Sequence, residues 1–179
     1  MTEHFWNVFV IDAFLGNFDR HNGNWDFIYN EHSRKADISP VYDCGSCLLP
    51  QADSQKMKLI FGNRDEMNAR VFNFPTSAIK FNGKKINYYD FLIRSDIEDC
   101  SKAIMRITPQ IDMEKISEFI DSITFLSELQ KEFYVAYIDA RYEKIIVPAY
   151  EHALELRHGQ TEELSEDMNY EENFEMTIS

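Results

Sequence analysis

Long apolar runs are missing from this chain. No stretch of about 18 apolar residues occurs, which excludes a membrane-spanning helix. The run Val8-Phe9-Val10-Ile11 is broken at once by Asp12. The start, Met1-Thr2-Glu3-His4, lacks the basic segment and apolar core of a secretory leader. Positive charge is in deficit: 18 Lys and Arg face 31 Asp and Glu, a net charge of -13, so no global attraction draws the chain to nucleic acid. Glycine is scarce, with six in 179 residues, and no G-x-G-x-x-G or P-loop occurs. Cysteine is scarce too. Cys44, Cys47 and Cys100 do not make a disulfide scaffold, and the Cys44-x-x-Cys47 pair has no second pair of metal ligands at suitable spacing. Small buried thiols in a reducing, cytoplasmic compartment are the expectation.

What remains is an ordinary globular composition, 44% hydrophobic and 27% charged, which excludes disorder of the whole chain. The length predicts one domain or one large lobe of something bigger. From His4 to Leu15 apolar residues recur at helical spacing, which predicts a helix buried on most sides, stopped at Gly16-Asn17. Residues 16–24, with two Gly and three Asn, read as an irregular loop. Trp25 to Tyr29 alternates as a strand with Trp25, Phe27 and Tyr29 on one face, and Ala36 to Tyr42 as its hairpin partner. Short helical pieces are expected between Gln51 and Pro75, with a break at Phe74-Pro75, and a turn at Asn82-Gly83-Lys84-Lys85. Helices follow at Tyr88–Arg94, Ile97–Ile107, Met113–Ser122 and from Ser127 to Leu156, the last kinked at Pro148. The fold class is therefore α+β and mostly helical. Residues 1–156 form the lobe. Residues 157–179, with seven carboxylates and one Arg, read as a flexible acidic tail.

The chemistry is concentrated between residues 16 and 45. Asp19 is followed at +5 by Asn24, and a hairpin later comes Asp43-Cys44-Gly45. Phosphoryl transfer uses these residue types in this order. A carboxylate accepts or orients the proton of the attacking hydroxyl, and an amide oxygen and a second carboxylate hold magnesium against the nucleotide phosphates. The glycine after the second Asp lets the backbone turn away sharply. A rigid polar loop followed by a hairpin would bring the three side chains to one point.

The segments Gly16-Asn17-Phe18-Asp19-Arg20-His21-Asn22-Gly23-Asn24-Trp25 and Ile38-Ser39-Pro40-Val41-Tyr42-Asp43-Cys44-Gly45-Ser46 closely resemble those of HipA-like serine/threonine kinases. The Asp-Arg-His-x-x-Asn core also resembles phosphoinositide 3/4-kinases, but the Ser-Pro-Val-Tyr-Asp segment and the helical remainder favour the HipA-like resemblance. It is strong over about residues 5–50. The resemblance implies a protein-kinase-like C-terminal lobe, ATP as substrate, magnesium as cofactor and a protein hydroxyl as acceptor. It implies Asp19 as catalytic base, Asn24 and Asp43 as magnesium ligands, and His21 as a loop residue that braces Asp19 or simply satisfies the loop. Arg20 either reaches a phosphate or makes a local ion pair, and the ion pair is preferred.

One departure from the kinase pattern matters. Only 18 residues precede Asp19, and they read as one helix, so the N-terminal lobe with its phosphate clamp and strand lysine is expected to be absent. The chain by itself is expected to have negligible kinase activity and to need an N-lobe in cis or in trans. A retained lobe that serves as a non-catalytic interaction module, for an antitoxin or another regulator, is the alternative. A metal-dependent hydrolase built on His4, His21, Asp19 and Asp43 is a third reading, with no H-x-H or H-E-x-x-H spacing behind it. Apolar surface left bare near the first helix and hairpin would favour self-association.

Overall fold

The computed structural model describes residues 2–159. Helix α1 (Thr2–Leu15) is apolar around most of its girth, and Phe9, Val10 and Ala13 are fully buried. It lies in the main core against α5 (Glu98–Ile107), which contributes Cys100, Ala103 and Ile104. Between them in sequence come α2 (Ser54–Phe61), α3 (Arg64–Phe72) and the short α4 (Tyr88–Leu92). Then follow α6 (Met113–Ser122) and α7 (Glu128–Arg141). Among the described residues the strands form two small antiparallel pairs, β1 (Phe27–Asn30) with β2 (Lys35–Ile38) and β3 (Lys80–Phe81) with β4 (Lys84–Lys85). The mostly helical α+β expectation holds, and Asn82-Gly83 is the turn between β3 and β4.

The helix boundaries follow local chemistry. Asp53, Asn63, Asn87 and Asp112 each accept a backbone N–H of the first turn of the helix they precede, which satisfies donors that a helix start otherwise leaves open. Ser127 begins α7 with a reciprocal cap, its amide donating to Gln130 Oε1 at 3.0 Å and its hydroxyl accepting the Gln130 amide at 3.4 Å. Ser127→Ala is expected to cost about 1 kcal/mol of stability. An unchanged urea midpoint would mean that the cap is frayed in solution.

Three expectations need correction. First, the break expected at Pro148 appears upstream, as a π turn over Tyr142–Ile146. The Val147 amide reaches back to Tyr142 O; this wider turn precedes the proline, whose ring would otherwise crowd the carbonyl four residues back. The helix then continues over 147–159, past the expected end at 156, while residues 160–179 of the acidic tail lie outside the described residues. Second, β2 stops at Ile38 instead of reaching Tyr42. Pro40 has no N–H to offer a ladder, and the Tyr42 carbonyl is taken by Arg20. β1 starts at Phe27, two residues later than expected, and pairs Phe27 with Ile38 and Asn30 with Lys35. Its Phe27 and Tyr29 are 52% and 59% exposed. Third, the thiols are not all buried: Cys100 is, Cys47 is half-buried and Cys44 is exposed.

The bare apolar surface is present. Phe27, Ile28, Tyr29, Val41 and Tyr42 are all exposed on and beside the β1–β2 hairpin. Among the described residues no helix is long and apolar enough to cross a membrane.

Candidate active site

The site is built at the C-terminal end of α1. A carboxylate buried in an apolar helix must find a partner. Asp12, 2% exposed, meets the equally buried Arg20 through two hydrogen bonds, Nε to Oδ2 at 2.8 Å and Nη2 to Oδ1 at 3.1 Å. Asn17 donates from Nδ2 to Asp12 Oδ1 at 2.9 Å, and its own Oδ1 accepts the Asp19 amide at 3.1 Å. The carbonyl of Asn17 accepts the Tyr88 hydroxyl. The loop that carries Asp19 is thus fastened to the helix core through Asn17 and Arg20. Asp12 holds the Arg20 guanidinium charged more firmly than usual, through its hydrogen bonds first.

Gly16 makes this geometry possible. It sits at φ +69°, where side chains are strained, and an added Cβ would lie 2.4 Å from Tyr137 Oη and 2.9 Å from Pro75 Cγ. Beside it, the buried Arg141 closes the end of α1 by donating from Nε to Ala13 O at 2.9 Å, and it ties in α3 by donating from Nη1 to Arg70 O at 3.0 Å. Its positive charge suits a helix C-terminus, where unpaired carbonyls gather. Burial lowers its affinity for the proton, and burial also pushes up the neighbouring Tyr88 phenol.

Asn24 and Asp43, 19 residues apart, are brought into contact: Asn24 Nδ2 donates to Asp43 Oδ2. Asn24 is buried in a single tight turn over Asn22–Asn24, and its Oδ1 accepts the His21 amide at 2.9 Å. The Tyr42 hydroxyl donates to Gly23 O at 3.0 Å, which ties the segment before Asp43 to the same turn. Asp43 itself adopts φ +56°. Its two neighbours are held by one side chain: Arg20 Nη1 donates to Tyr42 O at 2.6 Å and Nη2 to Cys44 Sγ at 3.6 Å. Asp19 is exposed on the same loop, its amide held by Asn17 Oδ1. The His21 ring accepts the Gly23 amide at Nδ1 (3.0 Å), so it caps the turn over Asn22–Asn24. Arg20 makes the expected ion pair, and its donors face Asp12, Tyr42 and Cys44.

Sequence reasoning missed Asp12 and Asn17 as positioning residues. A signal existed: Asp12 interrupts an otherwise apolar stretch, and Arg20 is the first basic Lys or Arg after it. Among the described residues no three His, Cys, Asp or Glu side chains gather into a metal cluster. Asp43 and Asn24 nevertheless offer a carboxylate oxygen and an amide oxygen with a second lone pair. Those are the hard donors that magnesium takes when phosphates and water supply its other positions, so the pair fits the ion. The Cys47 thiol is pushed up to about 12, by burial first and by Asp12 next.

No family model matches the chain. Over 153 residues it is 52% identical to the serine/threonine-protein kinase CtkA of Helicobacter pylori, which covers 85% of this chain and 47% of that protein. The crystal structure of the H. pylori proinflammatory kinase CtkA superposes with a TM-score of 0.85 at 50% identity, over 87% of this chain and 57% of that one. The mostly helical α+β fold therefore matches a kinase structure, and the chain spans about half the length of these relatives.

Proposed function

We propose that this chain is the catalytic lobe of a HipA-like serine/threonine protein kinase, which transfers the γ-phosphoryl group of ATP to a protein hydroxyl. The observation that carries the reading is the meeting of Asn24 and Asp43 beside the loop of Asp19. The similarity to a protein named as a serine/threonine kinase supports it. In this reading Asp19, exposed and held by its amide on Asn17, takes the proton of the substrate hydroxyl as its oxygen bonds to the γ-phosphorus and the bond to ADP breaks. Asn24 and Asp43 would hold magnesium, which when bound neutralises phosphate charge and fixes the orientation of the transferred group. Arg20 acts through Asp12, Tyr42 and Cys44, as a positioning residue.

Positioning of the phosphates supplies most of the catalysis in such reactions, and no Gly-rich clamp occurs in this sequence. The chain alone is therefore expected to have negligible kinase activity until a nucleotide-covering lobe is supplied. The test is calorimetry of ATP binding with and without magnesium. Asp43→Ala should weaken the magnesium-dependent component at least tenfold, as loss of a ligand or its support does. Asp19→Ala should bind as the wild type does. Equal binding by wild type and Asp43→Ala would remove the magnesium assignment, and vigorous phosphorylation by the chain alone would overturn its dependence on another lobe. The exposed Phe27, Ile28, Tyr29 and Val41 favour a second reading, an interaction module that docks a partner or a second copy. It predicts that Asp19 and Asp43 can both be replaced without loss of function.

A further inference from the structure

The Cys44-x-x-Cys47 pair has no part in the chemistry above, yet it follows directly on Asp43. We propose that Cys44 and Cys47 are a reversible disulfide site that oxidation closes and that, once closed, displaces Asp43 and disables the site. The regulatory half of this proposal rests on the magnesium–nucleotide reading of Asp43.

The geometry carries it. The Cys47 amide donates to Cys44 O at 3.1 Å, so residues 44–47 form a hydrogen-bonded turn. A turn of this kind holds its end Cα atoms within about 7 Å, and a disulfide spans about 4.4–6.8 Å between Cα atoms. Cys44 is exposed to an oxidant and Cys47 stands half-buried behind it. Gly45, inside the turn, has open space where a Cβ would be, so nothing obstructs a small adjustment there.

The oxidant class is a peroxide. The Cys44 sulfur attacks one peroxide oxygen, an S–O bond forms, the O–O bond breaks and water leaves. The Cys47 sulfur then attacks the resulting sulfenic sulfur, the S–S bond forms, the S–O bond breaks and a second water leaves. Two thiols are oxidised by two electrons and the peroxide is reduced to two waters; a dithiol reverses the change. The consequence for the site follows from Arg20. It holds both neighbours of Asp43, Tyr42 through its carbonyl and Cys44 through its sulfur. Turning the Cys44 sulfur toward Cys47 releases one of these two holds, next to a residue already at φ +56°.

The test treats the full chain with hydrogen peroxide and counts thiols by alkylation and mass spectrometry. Three free cysteines should fall to Cys100 alone, and dithiothreitol should restore them. Amide hydrogen exchange over residues 19–24 and 42–48 should rise on oxidation, and magnesium–ATP affinity should fall roughly 10–100-fold. Cys47→Ser and Cys47→Ala should show neither change. Retention of three thiols, or oxidation of Cys44 alone to higher acids, would overturn the proposal. So would a disulfide that leaves the exchange unaltered. If the reduced chain binds no magnesium–ATP, the kinase reading fails, while the thiol count and the exchange still decide the disulfide and its displacement of Asp43.

Discussion

Asp12→Ala is expected to lower folding stability by about 3–5 kcal/mol, because it strands a buried guanidinium rather than merely deleting a contact. Arg20 is 1% exposed, and its bidentate partner is Asp12. Without it the cation would retain only the Tyr42 carbonyl and the Cys44 sulfur. Domains of this size are stable by roughly 5–15 kcal/mol, so the loss would be visible as a large drop in urea midpoint. Asn17 would lose its acceptor as well, which loosens the loop of Asp19. The double variant Asp12→Leu with Arg20→Met separates the two roles. It removes both charges, so part of the stability should return, while Tyr42 and Cys44 remain unheld and the proposed magnesium–ATP binding should stay weak. A single-variant loss below about 1 kcal/mol would show that the pair is solvated like a surface salt bridge.

The second large effect is expected at Gly16. Gly16→Ala should cost roughly 2–4 kcal/mol, from left-handed strain together with overpacking. The new Cβ would sit 2.4 Å from Tyr137 Oη, 2.9 Å from Pro75 Cγ and 3.3 Å from Arg141 Nε. No flexible side chain end absorbs this, since Tyr137 and Arg141 are both fully buried. Tyr137→Phe removes the atom met first. The double variant should therefore recover part of the loss, whereas full additivity of the two substitutions would place the cost in backbone strain alone. Thermal unfolding of the four proteins distinguishes these outcomes.

Part of the candidate site was legible in the sequence. Asp19, Asn24 and Asp43 stand out because phosphoryl transfer needs a carboxylate, an amide and a second carboxylate in that order, and Asn24 and Asp43 do meet. His21 was harder. Its position in the loop suggests a brace for Asp19, and the structure adds a role the spacing did not state, acceptance of the Gly23 amide two residues away. Arg20 as an ion pair was legible, but its partner was not named. Its grip on Tyr42 and Cys44, 22 and 24 residues ahead, was not visible at all.

The sequence by itself determined what depends on near neighbours. The apolar recurrence from Phe5 to Leu15 makes α1, and α6 runs from Met113 to Ser122 as expected. The Asn- and Gly-rich stretch makes the loop that carries Asp19 and Asn24. These outcomes are local because helix faces, caps and turns are settled within about one turn of chain. Tertiary structure decided the rest. It ended β2 at Ile38 by giving the Tyr42 carbonyl to Arg20, and it left Phe27 and Tyr29 bare. It buried Cys100 while exposing Cys44, and it closed α1 with Arg141 from 128 residues away. A buried charge must be met by whichever donors or acceptors the folded chain brings within about 3 Å, and no periodicity in the sequence states which those are.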